Sequence, residues 1–236
     1  MWTVWGYRIN HNLEYMILAL SDIHLGSPIC QADLTLEIIK RDDYDTLILC
    51  GDLLDSYNIH RLCKKQWKIL SELRKISKKK HCVFIKGNHD KDLETISALL
   101  GFEFVDEYVQ VVNKKRILFT HGDKWDFFIT TKPVLTELAS GVYYLLQKLD
   151  KKQHFTRKLK TYIKTWHGAA HDLTVRISQH CYNNNYDAVC FGHTHVPKQY
   201  YIGGIECVNL GSQCELPITY AIIDDYGVIT LKHHEK

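Results

Sequence analysis

Five short apolar runs, each ending on a polar motif, constrain the fold of this chain more than any other feature. Residues 16–20 lead into Asp22-Ile23-His24, 46–50 into Gly51-Asp52, and 82–86 into Gly87-Asn88-His89-Asp90. Residues 117–120 lead into His121-Gly122, and 188–191 into Gly192-His193-Thr194-His195. Runs of this length and apolarity read as buried strands, and longer helical patterns alternate with them, so the chain reads as an α/β fold. Open α/β sheets bind ligands on the loops past the carboxyl ends of their strands. Five motifs at five strand ends therefore gather carboxylates, an amide and imidazoles in one place.

Hard oxygen donors mixed with imidazole suit Mn²⁺, Fe or Zn better than Ca²⁺ or a thiolate-bound structural zinc. Two such ions side by side generate a hydroxide and clamp a phosphoryl group for in-line displacement. Asp22-x-His24 alone is a weak signal, and a lone His or Asp is more often structural. The five motifs together reverse that reading.

The 236 residues suit one domain with room for a small subdomain, and 45% hydrophobic content is ample for a core. A net charge of +3 gives no global argument for nucleic acid. Charge is uneven locally: residues 148–164 hold seven Lys or Arg against Asp150, and 61–80 is also basic. A solvated helix face explains each of these segments taken alone. The eight cysteines form no CxxC pair or disulfide framework; Cys50, Cys82 and Cys190 sit in apolar runs as small hydrophobes. That usage points to a reducing cytosol. No run approaches a membrane span, and 1–15 lacks the apolar stretch of a signal peptide. Residues 1–15 read either as an added strand with Trp2 and Trp5 packed down or as an upstream start before Met16.

Helices are expected over 58–77, 92–100 and 166–183, and strands over 198–202, 205–210, 220–223 and 228–231. The stretch 125–185 is longer than a return to the sheet needs. Before its last helix, 133–149 is too apolar for a free solvent face, and 153–165 sets Arg157, Lys158, Lys160 and Lys164 opposite Phe155, Leu159, Tyr162 and Ile163. The pair reads as a helical cap insertion within 125–165, lying over the site; a decoration packed elsewhere is the alternative. Of the nine histidines outside the motifs, His11, His60, His81, His154, His233 and His234 read as surface residues. His167 and His171 have metal-ligand spacing but no Glu or Cys beside them, so His167, His171 and His180 read as surface or cap contacts.

The order D-x-H, GD, GNHD, HG, GHTH resembles the calcineurin-like metallophosphoesterase superfamily, over residue 16 to about 229. The resemblance implies a four-layer α/β/β/α sandwich, two mixed sheets flanked by helices. It implies two divalent metal ions, Mn²⁺ first with Fe or Zn as alternatives. Asp22, His24 and His195 would hold one ion, Asn88, His121 and His193 the other, and Asp52 would bridge them. His89 would contact the phosphate and protonate the leaving oxygen, a general-acid role that imidazole chemistry suits. Asp55 would orient His89, with Asp90 the weaker candidate for the same task. The implied activity is hydrolysis of a phosphodiester or pyrophosphate bond by attack of a metal-bound hydroxide.

Within the superfamily the insertion looks like that of the UDP-2,3-diacylglucosamine pyrophosphatases and their relatives, which cleave a pyrophosphate at the membrane surface. That implies a phosphate-containing, nucleotide-linked lipid substrate, with Arg157, Lys158, Lys160 and Lys164 on phosphate or headgroups and peripheral contact at the inner membrane face. Those enzymes usually carry Arg where this chain has His89. A second reading, from the 208–212 ending and the basic helices, is a Mn-dependent nuclease or small phosphodiesterase acting on nucleic acid. An inactive binding scaffold is the third, and the intact donor set weighs against it.

Overall fold

Within each strand, neighbouring side chains are buried in different cores, and this sets the layering. In β1 (Ile17–Leu20), Ile17 and Ala19 enter one cluster while Leu18 and Leu20 enter another. The same split runs through β2 (Thr46–Cys50) and β3 (His81–Ile85), with Ile48, Cys50, Val83 and Ile85 on one face and Leu47, Leu49, Cys82 and Phe84 on the other. The computed structural model describes residues 15–56, 58–90, 93–126 and 169–235.

Two mixed sheets result. The first runs β11-β10-β1-β2-β3-β4, and the second β5-β6-β7-β9-β8. Here β4 is Glu103–Val105, β5 Tyr108–Val112, β6 Lys115–Phe119, β7 Ala188–Phe191, β8 Lys198–Ile202, β9 Ile205–Asn209, β10 Ile218–Ile223 and β11 Ile229–His234. Strands β1 to β4 pair in parallel, as do β6, β7 and β9. The central core lies between the sheets, where Ile17, Ile48 and Ile85 meet Ile117, Phe119 and Cys190. Helices α1 (Ala32–Ile39), α2 (Lys64–Ile76) and α3 (Glu94–Leu100) lie on the first sheet's outer side, with Ile38, Ile69 and Leu73 in the cluster of Leu18 and Phe84. Helix α4 (Ala169–Asn183) places Leu173, Ile177 and Cys181 with Leu118 and Val189 of the second sheet. Each fully buried Leu, Ile or Phe contributes about 1.5–3 kcal/mol relative to exposure. The four-layer order expected from the resemblance is the order observed.

Several elements differ from expectation. The helix expected over 58–77 is broken: a 3₁₀ turn covers Ile59–Arg61, Leu62 and Cys63 are extended, and α2 starts at Lys64. Local capping explains the break, because the Asn58 side chain accepts from the His60 N–H (3.1 Å) and Gln66 reaches back to the Cys63 N–H (2.9 Å). Helix α1 and strands β4 and β5 were not anticipated. The insertion lies outside the described residues beyond Asp126, as do Arg157, Lys158, Lys160, Lys164, His154, His167, His11 and the first 14 residues. No helix among the described residues is long and apolar enough to cross a membrane.

Candidate active site

Strand register delivers the motifs to one another. Parallel pairing of β1 with β2 continues past the strand ends, with Asp22 N–H on the Gly51 carbonyl (3.1 Å) and His24 N–H on that of Asp52 (2.9 Å). In the second sheet, Gly192 N–H bonds the His121 carbonyl (3.0 Å). Leaving the sheet, the chain turns sharply. Asp22, His24, Asp52, His193 and His195 all have left-handed backbones, with φ of 53°, 47°, 53°, 65° and 55°. Such conformations cost on the order of 1–3 kcal/mol each outside glycine and persist where the surroundings over-determine them. Here the loop after β9 supplies that hold: Gln213 N–H and Ser212 Oγ–H both donate to the Asp22 carbonyl, at 3.0 and 3.3 Å.

Asp22 is fully buried, and its two oxygens are used differently. Oδ2 accepts from Ser21 Oγ–H (2.6 Å) and from His193 N–H (2.9 Å). Oδ1 makes no hydrogen bond, yet faces His195 Nε2 at 3.0 Å and His24 Nε2 at 3.6 Å. The two Nε2 atoms are 3.2 Å apart. A buried carboxylate oxygen left unbonded amid two converging imidazoles is costly alone and fits a cation among them.

Asp52 stands at the centre. Its Oδ1 accepts from His89 N–H (3.0 Å), and its Oδ2 faces His121, His24 and His89 Nε2 at 3.4, 3.7 and 3.9 Å. His121 Nδ1 sits 2.9 Å from the Cys50 carbonyl, which fixes the proton there and turns Nε2 to Asp52 and to Asn88 Oδ1 (3.1 Å). Among the described residues, three sets of mutually close donor atoms emerge: Asp22, His24 and His195; His24, Asp52 and His89; and Asp22, Asp52 and His121.

Glycine is required where the loops touch. A Cβ on Gly192 would collide with Ser21 Oγ and Asp22 Oδ2, and one on Gly87 with the Asp52 carboxylate.

Electrostatics follow from this crowding. Burial alone would raise the Asp22 carboxyl, but the His195, His24 and His121 imidazoles hold it well below the usual carboxylate range. Burial also opposes ionisation of Asp52, and His121, His89 and His24 outweigh it, so its pKa is lowered. Conversely, burial pushes His24 down, while Asp22, Asp52 and Asp55 raise it to about 8. His121 is raised well above the ordinary imidazole value, its burial outweighed by Asp52 and Asp22. Imidazolium and carboxylate thus balance where divalent cations fit the donor set.

Not every expected residue takes its expected place. His193 packs edge-on against the His121 ring at 5.1 Å, but its Nε2 lies 2.8 Å from Asp126 Oδ2, outside the three donor sets. Asp55 meets His89 through its main-chain carbonyl, 3.0 Å from Nδ1, while its carboxylate pairs with Arg61 and lies 3.7 Å from His24 Nδ1. Asp90 does not reach His89. Its Oδ2 accepts from the N–H groups of Asp52 (2.5 Å) and Gly87 (3.0 Å), bracing two motif loops, and burial beside Asp52 raises its pKa to about 7.

Three contributors went unread in the sequence: Ser21 and Asp126, which stand close to motif residues, and Glu215, whose Oε1 is 3.4 Å from His195 Nδ1. Nothing local connects Glu215 to His195. Of the histidines outside the motifs, His180 packs on Trp125 at 5.2 Å, His81 lies 3.4 Å from Glu103, and His234 3.0 Å from Glu37.

Sheets, strand-end loops and clustered donors of this kind define a metal-dependent phosphoester hydrolase. The chain belongs to the calcineurin-like phosphoesterase family, whose model matches residues 15–197. No curated protein matches its sequence at a significant level. Among solved structures it is similar to a novel archaeal phosphodiesterase, at 16% identity over 93% of this chain and 99% of that one, with a TM-score of 0.52. It is also similar to YfcE, a phosphoesterase from E. coli (18% identity, 92% and 98% covered, TM-score 0.51). The third likeness is to vacuolar protein sorting 29 from Cryptosporidium parvum (12% identity, 95% and 100% covered, TM-score 0.50). At these identities the likenesses show the fold alone.

Proposed function

We propose that the protein hydrolyses a phosphodiester or pyrophosphate bond at a two-metal centre. Asp22, His24 and His195 would hold one divalent ion, Asn88 and His121 the other, and Asp52 would lie between them. His193 would join the second set once its Nε2 leaves Asp126. The observation carrying this reading is the Asp52 carboxylate, whose Oδ2 faces His24, His89 and His121 at 3.4–3.9 Å. Bound ions supply Lewis acidity to phosphoryl oxygens and lower the pKa of water. Mn²⁺ is the first ion to test, with Fe or Zn as alternatives that the imidazole donors accommodate as well.

The chain's own groups do the rest. His89, held at Nδ1 by the Asp55 carbonyl, presents Nε2 to the site and would give its proton to the departing oxygen. Asp90 holds the Asp52 and Gly87 backbones in register. The substrate reading, a nucleotide-linked lipid, is supported by the apolar and basic sequence of 133–165; under it the protein would meet the membrane peripherally.

Hydrolysis of bis-p-nitrophenyl phosphate with Mn²⁺ tests the reaction, and loss of all activity with a chelator should follow. Metal-loaded protein inert on every phosphodiester and pyrophosphate tried would overturn it. A panel of UDP-linked lipids, nucleoside diphosphate conjugates and single-stranded DNA then separates the lipid reading from a nuclease.

A further inference from the structure

A cavity of about 530 Å³ opens between the starts of α1 and α2 and the loop after β9. One wall is the continuation of the first motif: Gly26 and Ser27 line it, and Ser27 N–H bonds the His24 carbonyl at 3.0 Å. Beside them stands Arg61, which pairs with the Asp55 carboxylate, and the Asp55 carbonyl positions His89. The rings of His24 and His89 meet edge to face at 5.1 Å. The cavity is thus joined to His24 through Ser27 and to His89 through Arg61 and Asp55. Gly26 abuts Arg61 here: its φ of 100° favours glycine, and a Cβ there would lie 3.4 Å from Arg61 Cβ, an ordinary contact.

The lining indicates the kind of occupant. Arg61 is balanced by Asp55 and Lys65 by Asp33, so the cations of the wall are already neutralised. Pro28, Leu34 and Leu216 add an apolar surface beside Ser27 and Gln31. Gln31 does not cap α1 with its side chain, which bonds the Ile29 carbonyl instead, so the first turn of α1 presents donors at the wall. An acyl chain would leave these polar groups desolvated. A second phosphate would compete with two existing ion pairs. The volume lies in the range of small-molecule sites.

We propose that this cavity seats an uncharged polar ring, a nucleoside or a sugar, carried by the leaving group of the phosphoester. The assignment rests on the phosphoesterase reading above. It makes the α1–α2 cleft a specificity site.

Cys63 provides a probe independent of catalysis, since it is an exposed cysteine on the cavity wall while Cys30 is half-buried and the other six are buried. Iodoacetamide alkylation of Cys63 is followed by mass spectrometry with uridine, adenosine, glucose, N-acetylglucosamine or inorganic phosphate present. A fitting ring should slow alkylation about tenfold once it exceeds its dissociation constant about tenfold, by mass action. Inorganic phosphate alone should not, and Pro28→Trp, at an exposed position of the wall, should abolish the protection. Protection by nucleosides only or sugars only identifies which ring is seated. No protection by any ring, or protection unchanged in Pro28→Trp, overturns the proposal even if the chromogenic diester is hydrolysed. Protection in a protein that hydrolyses nothing overturns the leaving-group role and the phosphoesterase reading together.

Discussion

His89 Nδ1 lies 3.0 Å from the main-chain carbonyl of Asp55. A carbonyl only accepts, so Nδ1 carries a proton and Nε2 is the nitrogen turned to the site, 3.9 Å from Asp52 Oδ2. Because the backbone does the orienting, the two residues separate by mutation. His89→Ala should cut turnover on the order of 10²–10⁴-fold, the usual worth of a general acid, with metal content near wild type by elemental analysis. Asp55→Asn keeps the carbonyl and should lose much less activity. If Asp55→Asn falls as far as His89→Ala, the carboxylate rather than the carbonyl is the orienting group.

Asp52 is the shared donor, and removing it should dismantle the centre instead of only slowing it. Asp52→Ala deletes the oxygen that faces three imidazoles and leaves His24 and His121 with one buried acid fewer beside them. The expected result is loss of bound metal together with activity. Equal metal content in Asp52→Ala and His89→Ala would refute the division of roles.

Much of this was legible because strand periodicity and motif position coincide. Residues 16–20 and 46–50 were readable as strands, and parallel pairing then forces Asp22 beside Gly51 and Asp52. Helix α1 went unread although Leu34, Ile38 and Ile39 carry helical spacing, because it is only eight residues long and follows a motif directly. Strand β5 alternates buried Val112 with exposed Val109 and Val111 on an edge, a weak signal beside the fully apolar central strands. Long-range partners were out of reach for a different reason. Glu215 on His195 and Asp90 on the Asp52 backbone depend on how loops of distant strands pack.

Protons and metal ions compete for the same imidazoles. His24, opposed by burial but held up by Asp22, Asp52 and Asp55, is raised to about 8, and His121 is raised well above the ordinary imidazole value. Each must lose a proton to become a ligand, so metal affinity should rise by up to about tenfold per pH unit for each proton released between pH 6.5 and 8. In metal-free protein the sign is opposite for stability. A histidine with raised pKa contributes stability that is complete below pH 6.5 and lost as pH climbs through 8, about 2 kcal/mol for the His24 shift. The melting temperature of metal-free protein should therefore fall across this window, and metal-saturated protein should resist the fall. A metal affinity independent of pH from 6.5 to 8 would exclude these two histidines as ligands.

Gly192 tests whether loop packing sets the first donor group. A Cβ there would strike Ser21 Oγ and Asp22 Oδ2, both buried and both committed to hydrogen bonds. Ser21 cannot retreat freely because its one hydroxyl proton is shared between Asp22 Oδ2 and the Cys50 carbonyl, 2.7 Å from Oγ. Overpacking of this kind costs about 1–3 kcal/mol, and the displaced atom is part of the carboxylate facing His24 and His195. Gly192→Ala should therefore lower both thermal stability and metal affinity. Gly203→Ala is the control: its φ is 58°, so alanine is strained by about 1–2 kcal/mol, but nothing lies within 4 Å of the new methyl group. It should lose stability alone and keep its metal. Wild-type metal affinity in Gly192→Ala, measured by titration at fixed pH, would mean that Asp22 reaches its place without this packing.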